Sequence, residues 1–97
     1  MPTYIALISL TDQGIRTIKD DPGRVRAAEP IAQREGVRIV DEWWTMGPYD
    51  AVMIAEAPDD ETMNRFLLGA ARQGNIRTTT MRAFTRDEIS SIIQRLS

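Results

Sequence analysis

The order in which two hydrophobic periodicities alternate constrains the fold more than any other feature of the chain. Short apolar runs of strand length occupy Tyr4 to Leu10, Val37 to Met46, Ala51 to Ala57 and Ile76 to Phe84. Between the third and fourth runs, Met63, Phe66, Leu67, Ala70 and Ala71 fall at i, i+3, i+4, i+7 and i+8. Only a helix brings that spacing to one face. Val25, Ala28, Ile31 and Ala32 give a shorter stripe between the first and second runs. The second and third runs flank Gly47-Pro48-Tyr49-Asp50, dense turn chemistry that reads as a hairpin. The order strand, helix, strand, strand, helix, strand predicts an α+β fold, a ferredoxin-like β-α-β-β-α-β sandwich. Right-handed crossovers place both main helices on one face of a four-stranded antiparallel sheet.

Local signals mark where each element starts and stops. Thr11 or Asp12 can cap a short helical stretch holding Ile15 and Ile18. Asp21 reads as an N-cap with Pro22 as first helical residue, and Gly36 as the C′ stop. Pro30 falls inside that helix. It would free the Arg26 carbonyl at a cost of ~3 kcal/mol, which predicts a kink or a break. Asp59 can cap the second main helix, where Asp60 and Glu61 in the first turn favour the helix dipole. Gly74 ends it. Thr85 and Glu88 form a capping box, and Phe84 can staple onto Ile89. Ile89, Ile92, Ile93 and Leu96 then repeat the helical spacing, so an extra C-terminal helix comes after the last strand.

Composition decides mainly by exclusion. The 97 residues suit a single domain, 1–97, with a core that needs no staples. The net charge of −2 gives no electrostatic support for nucleic-acid or membrane-surface binding. Eleven of the 12 cations are Arg, which fits a GC-rich genome or, less simply, anion binding. Cys and His are absent. Disulfides, thiol nucleophiles, Cys/His zinc sites and His general bases are thereby excluded. No sequence feature implies a cofactor. Of the two acidic clusters, Asp41-Glu42 alternates across a strand, so its carboxylates do not converge, and Asp59-Asp60-Glu61 fits helix capping; no metal is expected. Met1-Pro2-Thr3-Tyr4 has no basic leader and the apolar run after it is short, which points to the cytoplasm.

The strands are apolar in both phases. Tyr4, Ala6, Ile8 and Leu10 share one side of the first, Ile5 and Leu7 the other; Ala51, Met53 and Ala55 oppose Val52 and Ile54 in the third. A sheet with water on its free face alternates more cleanly. Pairing of two sheets about a two-fold axis would cover such a face, so a homodimer or higher oligomer is expected. The C-terminal helix could cover part of it instead.

Several segments resemble a known family. Thr11-Asp12-Gln13-Gly14-Ile15 with Lys19-Asp20 is similar to the opening of the GYD family of small bacterial proteins. Trp44 to Val52 resembles its signature hairpin, G-x-Y-D, here Gly47, Tyr49 and Asp50. Glu56 to Asp60 and Gly74 to Phe84 extend the likeness over nearly the whole chain. The resemblance implies a fold of the dimeric α/β-barrel type and no established activity. Pro30 departs from the family's usual helix sequence.

Six residues are candidate ligand contacts: Trp44, Tyr49, Asp50, Thr78, Thr80 and Arg82. Tyr49 and Asp50 could donate, anchor or act as acid and base at a hairpin tip. Equally, Gly47 can serve the backbone, Pro48 the turn and Asp50 an Asx-type lock. Trp43 and Trp44 point to opposite faces, so one should enter the core and the other an interface or a pocket. Thr78, Thr80 and Arg82 share a strand phase that could line a polar pocket, with Arg82 on an anion. Otherwise the threonines reflect strand propensity and Arg82 pairs with an acid. Three functions stay open: a homo-oligomeric domain binding a small molecule or a protein partner; a cofactor-independent, oxygenase- or isomerase-like enzyme working in the cleft between sheet and helices; and a purely structural subunit of an assembly.

Overall fold

A computed structural model describes residues 1–97. The chain runs β1 (Thr3–Leu10), α1 (Asp12–Arg16), a 3-10 turn (Ile18–Asp20), α2 (Asp21–Glu35), β2 (Arg38–Trp44), β3 (Ala51–Glu56), α3 (Asp60–Ala71), β4 (Ile76–Ala83) and α4 (Arg86–Gln94). The sheet order is β2-β3-β1-β4 and every pairing is antiparallel. This is the split β-α-β topology expected from the alternating periodicities.

The expected caps form. Thr11 accepts from the Gly14 N–H, Asp59 from the Thr62 N–H, and Thr85 with Glu88 closes a capping box. Gly36 sits at φ 87° and takes the left-handed position after α2. Of the kink or break expected at Pro30, the break does not occur: α2 runs continuously from Asp21 to Glu35. Asp21 is not the N-cap: it is the first helical residue, buried, and its carboxylate is used elsewhere.

The core is thin. Tyr4, Ala6, Met53 and Ala55 face the helices from β1 and β3, and Met63, Phe66 and Leu67 of α3 pack down on them. Alanines at the sheet centre, both fully buried, let α3 approach closely. Helix α2 contributes only Ala32 to the core; Val25 and Ala28 are partly exposed and Ile31 is exposed. Its apolar stripe therefore overhangs the sheet instead of filling against it. The opposite sheet face carries Ile5, Leu7, Val52, Ile54 and Met81, half-buried to exposed. Helix α4 packs substantially on no other element, and Ile89, Ile92, Ile93 and Leu96 are all exposed. The radius of gyration, 14.7 Å, exceeds the about 12.5 Å typical of a compact chain this long.

Strand β2 contains one irregularity with consequences. Its register against β3 shifts between Ile39 and Asp41, so Val40 is an extra residue. Ile39 pairs with core-facing Ala55, yet after the shift Glu42 pairs with Met53 and Trp44 with Ala51. A bulge flips the phase of the residues beyond it. It turns Glu42 and Trp44 toward the helices and Trp43 toward the open face.

Candidate functional site

The overhang of α2 leaves a cleft of about 360 Å³ between α2, the end of α3 and the sheet. Ile8, Ile39, Met53 and Phe66 are among its apolar walls, and Asp21, Glu42, Trp44, Asp50 and Thr78 among its polar ones. Three of the six candidate residues, Trp44, Asp50 and Thr78, thus meet in one place.

The N-terminus of α2 closes one end. The Trp44 indole Nε1–H donates to Asp21 Oδ2 at 2.7 Å, and Arg24 donates to Asp21 Oδ1 at 3.0 Å. Both oxygens of this buried carboxylate are therefore satisfied, as burial of a charge requires. The bond fixes the plane of the Trp44 ring. Neither tryptophan enters the core: Trp43 is 48% exposed and Trp44 53%. The expectation that one would be core fails because α2 stands off from β2.

Asp50 holds the hairpin to the neighbouring strand. The Leu10 N–H donates to Asp50 Oδ2 at 2.8 Å, and the Asp50 N–H donates to the Ile8 carbonyl at 2.8 Å. This is a tie across 40 residues, not a local Asx turn. Gly47 takes φ 117°, a backbone requirement as anticipated. Tyr49 is half-buried at the tip, outside the cleft; only its carbonyl is engaged, by the Thr45 hydroxyl at 2.8 Å.

Thr80 and Arg82 lie apart from the cleft, in an open depression with Tyr4 and Asp60. Arg82 is occupied within the chain. Its guanidinium sits 4.6 Å from the Phe84 ring centroid and 3.8 Å from Glu88, and donates to the Ala83 carbonyl. That arrangement matches the internal-pairing alternative and leaves little for an anion. Thr80 Oγ1 is buried without a partner. The Tyr4 phenol donates to Asp60 Oδ1 at 2.5 Å. Its pKa is pushed up to about 12 by burial and then by the Asp60 carboxylate. A phenol held that high neither gives nor takes a proton readily near neutrality.

Two residues that sequence reasoning passed over matter here. Asp21 looked like a cap because it precedes Pro22, and only the fold brings it to Trp44. Glu42 looked unremarkable beside Asp41, because the bulge that turns it inward leaves no mark in the periodicity. Glu42 is half-buried with no ion-pair partner. Burial, then Glu29 and Asp41, push its carboxyl above the usual glutamate range. No three acidic side chains are grouped so as to hold a metal ion, and no helix is long and apolar enough to cross a membrane.

Solved structures place this architecture among ferredoxin-like α+β domains. A feast or famine regulatory protein from Mycobacterium tuberculosis, complexed with L-methionine, aligns with TM-score 0.67 at 14% identity. The alignment covers 88% of this chain and 51% of that one, so the chain spans about half the regulator's length. A 5-chloro-2-hydroxyhydroquinone dehydrochlorinase from Burkholderia phenoliruptrix AC1100 aligns with TM-score 0.62 at 14% identity, covering 90% and 97% of the two chains. At such identities the likeness is one of fold. The GYD domain model matches residues 4–93, and the chain belongs to the GYD domain family. A protein from Thermus thermophilus named glutamine synthetase and cystathionine beta-lyase binding protein is 37% identical over 97 residues, 99% of each chain.

Proposed function

We propose that this chain is a self-associating binding subunit that docks onto an enzyme of amino-acid metabolism, with glutamine synthetase and cystathionine β-lyase as the first partners to test. The observation that carries this reading is the quantity of large apolar surface left outside the core. The open sheet face and the α4 stripe of Ile89, Ile92 and Ile93, with Leu96 just beyond the helix, all lack substantial cover within the chain. Surface of that extent on a small protein marks interaction sites. One face serves a second copy and leaves the other for a different protein. The full-length relative supplies the class of partner. The side chains support binding over catalysis: Tyr4, Asp50 and Arg82 are all engaged in holding the fold.

The test has two parts. Light scattering after gel filtration reads the assembly, and Leu7→Asp on the open face should reduce it to monomer. Biolayer interferometry then reads binding to purified glutamine synthetase and cystathionine β-lyase of the same organism. A wild-type monomer would refute self-association. Failure to bind either enzyme at micromolar concentration would refute the proposed partners.

A second reading is favoured by the cleft itself. Its volume lies within the range of small-molecule sites, and apolar walls with a few polar groups are their usual composition. On this reading Trp44, Asp50 and Thr78 line a ligand pocket, and Tyr49, Thr80 and Arg82 do not.

A further inference from the structure

We infer that the cleft, taken as the ligand site proposed above, selects a small organic cation: a protonated amine on an apolar body, with its ammonium between the Glu42 carboxylate and the Trp44 ring.

The charge inventory of the walls leads there. Arg24 is spent on Asp21 at 3.0 Å, and its Nε–H is buried without a partner. Arg65 is spent on Glu35 at 3.0 Å. Arg72, the exposed C-cap residue of α3, is the one lining cation without an ion-pair partner. Of the acids, Asp21 has both oxygens filled and Asp50 has one taken by the Leu10 N–H. Glu42 alone is half-buried in the wall with neither a cation nor a side-chain hydrogen bond. An unpaired carboxylate among apolar walls is costly, and a cation is its natural complement.

Geometry supplies the second contact. Glu42 and Trp44 are two residues apart on one strand face, about 6.6 Å along the strand. An aromatic face beside a carboxylate is the pairing that recognises ammonium groups, through cation–π attraction and a charge-assisted hydrogen bond. The Asp21 bond holds the indole in place, so little ordering is left to binding. Ile8, Ile39, Met53 and Phe66 then receive the apolar body. The bulge at Val40 is what makes the site, since without it Glu42 and Trp44 would face the opposite side.

The experiment uses three probes of one length: hexylammonium, 1-hexanol and hexanoate. Binding is followed by Trp44 fluorescence in a Trp43→Phe background and by calorimetry on the wild type. Hexylammonium should bind at least tenfold more tightly than hexanoate. Glu42→Gln should weaken hexylammonium at least tenfold while leaving hexanol unchanged. If hexanoate binds as well as the amine, or Glu42→Gln has no effect on it, the cation selectivity is wrong while the cleft remains a ligand site. If none of the three binds, the cleft reading fails and this inference with it.

Discussion

Tyr4 on β1 and Asp60 in the first turn of α3 lie 56 residues apart in sequence and share a phenol-to-carboxylate hydrogen bond of 2.5 Å. The bond joins the first strand of one β-α-β unit to the helix of the other. Because burial and then Asp60 raise the Tyr4 pKa to about 12, the phenol keeps its proton and stays a donor throughout the physiological range. The pair is a clamp between the halves of the fold.

Tyr4→Phe keeps the ring in the core and removes the clamp. A hydrogen bond to a charged partner contributes about 1.5–3 kcal/mol, and exposure of Asp60 to water puts this one at the lower end. The expected loss is about 1.5 kcal/mol, or about 6–12 °C in Tm for a domain of this size. Urea and thermal unfolding measure it. An unchanged midpoint would mean that water replaces the phenol without cost.

Asp50 is a second structural tie with a separable signature. Asp50→Ala leaves the Leu10 N–H without its acceptor, which costs about 1–3 kcal/mol. Asp50→Asn keeps an acceptor oxygen and should restore most of that stability. Neither change should alter the subunit count in light scattering, because the Asp50 carboxylate is tied to β1 of its own chain. If Asp50→Asn were as damaging as Asp50→Ala, the charge and not the acceptor would be the point of the residue.

Much of this architecture was legible in the sequence, because strands, caps and the α3 stripe are written locally. The Met63, Phe66, Leu67 spacing gave α3, and Thr85 with Glu88 gave the start of α4. Helix α2 runs on through Pro30 because a single lost helix bond can be offset by its surroundings. The α2 stripe misled. Val25, Ala28 and Ile31 are correctly spaced, but periodicity says which face is apolar and not how closely it packs. The site was half legible for the same reason. Trp44, marked by residue type, Asp50, by the hairpin signature, and Thr78, by strand phase, all line the cleft. Glu42 was hidden by the bulge, and Asp21 by its resemblance to a cap.

Gly14 and Gly23 make a paired test of close packing. A Cβ on Gly14 would lie 2.1 Å from the Asn75 carbonyl oxygen, a backbone atom that also accepts from the Thr11 N–H. Gly14→Ala must therefore push α1 off the β4 edge, at a cost of about 3 kcal/mol or more. A Cβ on Gly23 meets nothing within 4 Å. Gly23→Ala should stabilise α2 by about 0.5–1 kcal/mol through helix propensity. Chemical denaturation of the two variants against wild type reads both. Equal effects of the same sign would contradict the close approach of α1 to Asn75.

Glu42 gives the stability of the protein a pH slope of unusual sign. Its carboxyl is raised in the fold by burial, with Glu29 and Asp41 adding to it. The folded state therefore holds a proton that the unfolded state has already released. As pH rises from the ordinary value of 4.5 through the raised one, stability falls, and below that window the penalty is absent. Asp59 and Glu88 act in the opposite sense. The Thr62 and Thr85 backbone N–H groups hold their carboxyls below the usual range, so their contribution is lost as pH falls through the lowered values. Glu42 thus makes wild-type stability fall as pH rises above 4.5, while Asp59 and Glu88 make it fall on the acid side. Glu42→Gln removes the decline: urea midpoints at pH 5 and pH 7 should converge, with the variant the more stable at pH 7. A decline that persists in Glu42→Gln would assign the slope to another group and leave Glu42 solvated in the free protein.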